Sequence, residues 1–187
     1  MSRMSLVRMG LVVSAIAVTC STPAWARQGP PQPPAELSRV DIVASVPWKQ
    51  IAATAGTQRV WTGPGFSLGV NGNVSEHAAI ASGVEKFAQG GVALLTGIQL
   101  STAFYYGSGR DPVPGRFFAK FLAGASSGGS GHTRGVGQFD VGADVLLGPS
   151  KPIGFRWEVG YDIVPGDPVH HAYGRVAIGF ILAVKSV

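Results

Sequence analysis

Cysteine is nearly missing from this chain: Cys20 is the only one among 187 residues. A disulfide framework is therefore excluded, and past residue 20 there is neither a catalytic thiol nor a cysteine metal site. Charge is also scarce. Asp, Glu, Lys and Arg make up 13% of the residues, against roughly 25% in an ordinary soluble domain, so a water-coated surface is hard to build. No Lys/Arg run is present beyond the first residues, which argues against a nucleic-acid surface. The glycine-rich stretches lack the Lys-Ser/Thr ending of a phosphate-binding loop. Past Arg27 no apolar run reaches the ~20 residues that a membrane-crossing helix needs. What the chain does have is glycine, 27 residues of it, and a positive mean hydropathy of +0.24. In lipid, only helices and closed barrels satisfy their own backbone hydrogen bonds. Low charge without an apolar helix therefore predicts an all-β protein, an eight-stranded antiparallel up-and-down transmembrane β-barrel.

The first residues read as an export signal. Arg3 and Arg8 precede the apolar stretch Gly10–Val18, and Ala24-Trp25-Ala26 puts small residues at the two positions a signal peptidase reads. Residues 1–26 are expected to be a signal peptide, cut after Ala26 to leave Arg27 first. A lipoprotein built on Cys20 is the weaker alternative, because Ala17-Val18-Thr19 lacks the usual leading Leu and the small residue next to the cysteine. Cleavage removes Cys20 and lowers the formal charge from +5 to +3 through loss of Arg3 and Arg8. Residues 27–38 are expected to form a proline-rich periplasmic tail, with QGPPQPP at Gln28–Pro34 unable to join a sheet. Residues 39–187 are expected to form the barrel.

Eight segments alternate with period two between clusters of Gly, Pro, Asn and Ser: Arg39–Trp48, Gly65–Asn73, His77–Phe87, Val92–Tyr106, Arg116–Ala125, Val136–Leu147, Ile153–Val164 and His171–Val184. In the last five, one phase is apolar, as in Ile153, Phe155, Trp157, Val159, Tyr161 and Ile163. The other phase holds Lys120, Asp140, Asp144, Arg156, Glu158, Asp162, Arg175 and Lys185, with Arg116 set apart at a strand end. Successive side chains of a strand point to opposite faces, so each of these strands has one uncharged face.

Alternation alone does not choose between a soluble barrel with an apolar core and a membrane barrel with an apolar exterior. The padding of the charged phase favours the second. Ala93, Gly97, Ala103, Gly124, Gly142, Gly154, Gly160, Ala177, Gly179 and Ala183 suit a crowded lumen better than a wet surface. With both termini periplasmic, Phe104, Tyr106, Phe117 and Phe155 fall near one rim, and Phe66, Phe139 and Tyr161 near the other, as aromatic girdles would. Lys49–Pro64 and Ser126–Gly135 read as surface loops, and Asn73–Glu76 and Gly148–Pro152 as periplasmic turns. Gly107–Gly115 is long for its side and Ala88–Gly91 short.

The runs WTGPGFSLGVNGNVSEH (Trp61–His77), GVALLTGIQLS (Gly91–Ser101), RFFAKFLAGAS (Arg116–Ser126), FDVGADVLL (Phe139–Leu147), GFRWEVGYDIVP (Gly154–Pro165) and GRVAIGFILAV (Gly174–Val184) resemble, in order and spacing, the OmpA-like family of eight-stranded outer-membrane β-barrel domains. The resemblance covers nearly all of the chain past the signal. It implies the cell outer membrane as location, outer-membrane lipid and lipopolysaccharide as surroundings, and the barrel-assembly machinery as a partner. Members act as structural proteins, adhesins, narrow channels and occasionally lipid-modifying enzymes. The aromatic residue on which such barrels usually finish is absent, since the chain ends Lys185-Ser186-Val187.

The candidate functional constellation is a lumen charge network of Asp41, Glu85, Lys120, Asp140, Asp144, Arg156, Glu158, Asp162, Arg175 and Lys185, which reads either as a structural plug or as a small-ion gate. Adjacent His170 and His171 point to opposite faces of a strand and chelate poorly, so neither a metal nor a cofactor is expected. A lipid A deacylase would need a His, a Ser and an acid at the outer rim. Ser126, Ser127, Ser130, His170, His171 and Asp167 are nominally there, but SSGGSGHTRG (Ser126–Gly135) has a flexible loop's composition. His77 and His132 fall in a turn and a loop, and Asn73-Val74-Ser75 reads as a turn rather than a glycosylation site. The expected role is that of a monomeric, non-enzymatic envelope-structural protein or narrow channel. The alternative is a recognition protein acting through its surface loops.

Overall fold

A computed structural model describes residues 40–52, 59–61, 63–87, 91–106, 113–127, 133–147, 152–165 and 172–184. They form nine strands: β1 (Val40–Ala52), β2 (Arg59–Trp61), β3 (Phe66–Asn73), β4 (Ala78–Lys86), β5 (Val92–Tyr106), β6 (Val113–Ser127), β7 (Thr133–Leu146), β8 (Ile153–Ile163) and β9 (Ala172–Val184). Each strand from β3 to β9 pairs antiparallel with the next, and β1 pairs with both β3 and β9. The closing seam between β1 and β9 runs from Val40↔Val184 to Lys49↔Arg175. Eight strands thus form an antiparallel up-and-down barrel without an open edge, while β2 adds a short ribbon to the end of β1. No helix of the described residues is long and apolar enough to cross a membrane. Val40, Val184 and the turn Val74–His77 mark one end, called here the terminal end; the opposite one is the far end.

Strand boundaries differ from the sequence expectation where ribbons outrun the barrel wall. Lys49–Pro64, read as a loop, instead carries the end of β1 and all of β2. Ser126–Gly135 is shortened from both sides, because β6 continues to Ser127 and β7 begins at Thr133. Gly107–Gly115 loses its last residues to β6, which starts at Val113. Pro47 sits inside β1 where the β3 ladder ends, accepting a bond from Gly65 N at 2.8 Å. Its missing N–H falls past the last β3 pair, Ser45↔Ser67, so it interrupts no bond of that ladder.

Burial is inverted relative to a water-soluble protein. Along β8 it alternates at every residue: Trp157 and Val159 are 47% and 43% exposed, whereas Arg156 and Glu158 are 2% exposed. The other barrel strands also turn large apolar side chains outward, among them Leu68, Ile80, Leu94, Ile98, Phe121 and Phe180. Ring pairs tie neighbouring strands on this outer face: Phe104 with Phe117 at 4.4 Å, Phe121 with Phe139 at 4.8 Å, and Phe155 with Phe180 at 5.1 Å between centroids.

Several glycines have a more specific cause than crowding of the lumen. A Cβ on Gly97, Gly124, Gly142, Gly160 or Gly179 would lie 1.8–2.2 Å from a carbonyl oxygen of the neighbouring strand. Only glycine permits that approach, and such kinks let a sheet curve tightly enough to close. Ala103 and Gly124, expected among the small residues of the lumen, are exposed. Ala103 lies where β5 has run past the last β4 pair, Ala78↔Leu100, and is flanked by β6 alone. Gly160→Ala is expected to cost about 1–3 kcal/mol, the range for overpacking a filled interior, because its new methyl meets Phe139 O and Asp140. Urea unfolding in lipid vesicles measures this; an unchanged midpoint would refute the kink.

Candidate functional site

The lumen is filled by charge. From the terminal end, Asp41 accepts from Arg116 at 2.5 Å, and Arg116 Nε donates to Asp144 at 2.6 Å. Asp144 also accepts from Arg156 Nε and Nη2, at 2.6 and 2.7 Å, a two-pronged pair of the strong kind. Arg156 leads on to Glu158 at 3.5 Å. Glu158 and Asp140 are then shared by Lys120, at 2.8 and 3.3 Å, and by Arg175, at 2.8 and 3.1 Å. Arg175 continues to Glu85 at 3.2 Å, and Lys49 joins Glu85 at 2.8 Å to Asp162. Signs alternate along the whole path, so each buried charge touches at least one opposite charge, which its desolvation demands.

Six of the barrel strands, β1, β4, β6, β7, β8 and β9, contribute charges because their charged phase points inward. Asp41 and Lys49 share a face of β1; Arg116 and Lys120 share one on β6; Arg156, Glu158 and Asp162 alternate with outward aromatics on β8. Neutral side chains complete the packing. Gln99 accepts from Asn71 and from Arg156, both at 3.3 Å, and Asn73 donates to Asp41 at 3.1 Å. The Arg156 guanidinium lies 4.3 Å from the Phe118 ring and Lys49 Nζ 3.9 Å from the Phe87 ring, both within cation–π distance. Toward the far end, Ala93, Leu95 and Val136 are buried with Phe87, Leu122 and Val164 packed on them, an apolar cluster beside the last ion pairs.

Of the residues read from sequence, Asp41, Glu85, Lys120, Asp140, Asp144, Arg156, Glu158, Asp162 and Arg175 stand in this one connected group. Lys185 lies outside the described residues, as do Ala24, Ala26 and Arg27 of the cleavage site, Cys20, the proline-rich tail, and Ser130, His132, Asp167, His170 and His171. Two members escaped the sequence reading. Arg116, set apart as a strand-end residue, is an interior link because β6 begins three residues earlier. Lys49 was assigned to a loop, although it continues the phase of Asp41. Among the described residues, no group of three or more His, Cys, Asp or Glu could hold a metal ion. Ser126 and Ser127 stand at the far end of β6, where Ser127 Oγ donates to Val92 O at 3.4 Å.

No family model and no curated protein matches the chain. Among solved structures, Neisserial surface protein A is similar, with a TM-score of 0.50 and 12% identity over 78% of this chain and 97% of that one. The chain folds as a transmembrane β-barrel. A designed transmembrane β-barrel aligns with a TM-score of 0.45 at 15% identity, over 78% of this chain and 95% of that one. Ail of Yersinia pestis gives 0.34 at 11%, over 76% and 95%. At such identities the likeness is one of fold, consistent with the outward apolar face and the closed seam.

Proposed function

We propose that the protein is a monomeric, non-enzymatic barrel of the outer membrane whose role is structural and whose lumen is closed to solutes. The observation that carries this reading is the ion-pair path running from Asp41 to Asp162, because a solute would have to displace paired, desolvated charges along the barrel's length. The outer apolar face supports a lipid environment, since so many outward-facing large side chains in contact with water would drive aggregation. Exposed Lys86 and Arg134 at the far end support that end as the one facing lipopolysaccharide, whose phosphates attract cations. Insertion by the barrel-assembly machinery belongs to the same proposal.

The refolded full chain in a planar bilayer is expected to leave the baseline conductance unchanged at either polarity. Reproducible ohmic steps would overturn the closed lumen in favour of a narrow channel. Recovery of the protein in the aqueous periplasmic fraction of fractionated cells would sink the membrane assignment itself.

A further inference from the structure

Against the β3–β4 wall the lumen keeps a cavity of about 30 Å³. One buried water needs ~10–15 Å³, so there is room for two. The space is made by Gly69 and Gly83, cross-strand partners whose inward phase lines it from both strands. They differ from the kink glycines. A Cβ on Gly69 would lie 3.3 Å from Ser82 O, and one on Gly83 3.1 Å from Leu68 O, so a shift of a few tenths of an ångström would admit alanine at either. Close strand approach therefore does not dictate glycine here, and its effect is to leave room.

The opposite lining says what the room is for. Arg175 donates from Nη1 to Asp140 and Glu158 and from Nη2 to Glu85. Its Nε finds no acceptor among the described residues, and neither does Nε2 of Gln138, in side chains only 2% and 4% exposed. Buried donors left unpaired are costly, and both of these residues line the cavity. Acceptors stand in the same lining, the hydroxyls of Ser45 and Ser67 and the carboxylate of Glu85. Charge, in contrast, is already matched. Lys120 and Arg175 hold Glu158, Lys49 and Arg175 hold Glu85, and Arg156 holds Asp144. That leaves no unpaired cation on the lining to select an anion and no unpaired carboxylate to select a metal ion. The ligand suited to such a site is small, neutral, and able to donate and accept at once.

We propose that the cavity is a binding site for two water molecules, which accept from Arg175 Nε and Gln138 Nε2 and donate to the serine hydroxyls and Glu85. Water is then the fourth partner of Arg175, fixing the guanidinium in the orientation that reaches three carboxylates. It also ties in the β3–β4 wall, from which Glu85 alone joins the ion pairs among the described residues. This deepens the reading of the lumen as a closed structural filling. Each can fail without the other, because bilayer conductance tests closure and not the contents of this cavity.

Magnetic relaxation dispersion of water deuterons, measured on the full chain folded in detergent micelles, counts buried waters by their long residence. Gly69→Ala fills the space and is expected to lower that count by at least one, while the barrel still migrates differently before and after boiling. If Gly69→Ala does not fold, Gly83→Ala fills the same space. An unchanged count in the folded variant would overturn the proposal. Urea unfolding then separates loss of water from backbone strain. Gly72→Ala lies in the outward phase, where a Cβ would meet only Ile80 O at 4.0 Å, and should leave the midpoint level or raise it, since alanine restricts the unfolded chain. Gly69→Ala should lower the midpoint by stranding two donors. On a Gln138→Leu background, where one of those donors is already gone, the same substitution should lower it less. A Gly69→Ala midpoint at or above wild type, or an equal loss on both backgrounds, would overturn the proposal. In crystals, density for two waters is expected between Gly69 and Arg175, and an ordered lumen with no density there would overturn it equally.

Discussion

Arg175→Met is expected to cost about 3–5 kcal/mol of folding stability, the range for removing one partner from a buried ion pair. Arg175 is 2% exposed and holds three carboxylates, those of Glu85, Asp140 and Glu158, at 3.2, 3.1 and 2.8 Å. Methionine fills much of the same volume but leaves three acids to share Lys49, Lys120 and Arg156. Arg116→Met should cost less, because the Arg116 side chain is 19% exposed near the terminal end and water can take over part of its role. Pairing Arg175→Met with Glu85→Gln should recover part of the loss by removing one stranded charge, which a double-mutant cycle would read as coupling. Urea unfolding in lipid vesicles, followed by tryptophan fluorescence, measures the three single variants and the double against the wild type. Equal costs for Arg175→Met and Arg116→Met would contradict the account.

The second large effect concerns sidedness at neighbouring residues of β8. Val159 faces outward between Val141 and Val176, and is 43% exposed. Val159→Arg should cost about 2–4 kcal/mol, as expected for a basic residue near the middle of a lipid-facing strand. Val159→Leu, in contrast, should be nearly silent, since a fluid exterior accepts extra methyl groups. A barrel with a packed apolar core at Val159 would behave in the opposite way, resenting leucine. Near-wild-type stability of Val159→Arg in vesicles would therefore remove the lipid-facing assignment.

Legibility in the sequence followed side-chain contrast. In β5 to β9 the apolar and charged phases are cleanly separated, and the segments Val92–Tyr106, Ile153–Val164 and His171–Val184 lie within a residue of the observed strands. In β1, Pro47 and the small, weakly patterned Ile51-Ala52 hid the continuation, and Lys49 was lost with it. Arg116 was discounted although it shares its phase with Lys120, because its position near Pro114-Gly115 suggested a strand end. Which carboxylate would meet which cation could not be read, since partners such as Asp41 and Arg116 are 75 residues apart and meet only through closure. The cause of the glycines was equally hidden: alternation marks them as inward but says nothing of a neighbouring carbonyl in the way.

The ion pairs are spokes as well as filling. Asp41 of β1 reaches Arg116 of β6, Arg175 of β9 reaches Glu85 of β4, and Lys120 of β6 reaches Glu158 of β8, so each links strands that share no ladder. A hairpin entering lipid alone would carry its charges without their counterparts, at a cost comparable to its apolar gain. A one-residue slip of any charge-bearing strand would turn its charges outward. Insertion strand by strand is thus penalised until the rim-to-rim set assembles, and burial in the bilayer is expected to coincide with closure of the β1–β9 seam. The cross-lumen spokes act as a checkpoint on topology, making one register of the wall, and its completion, the condition for entering the membrane.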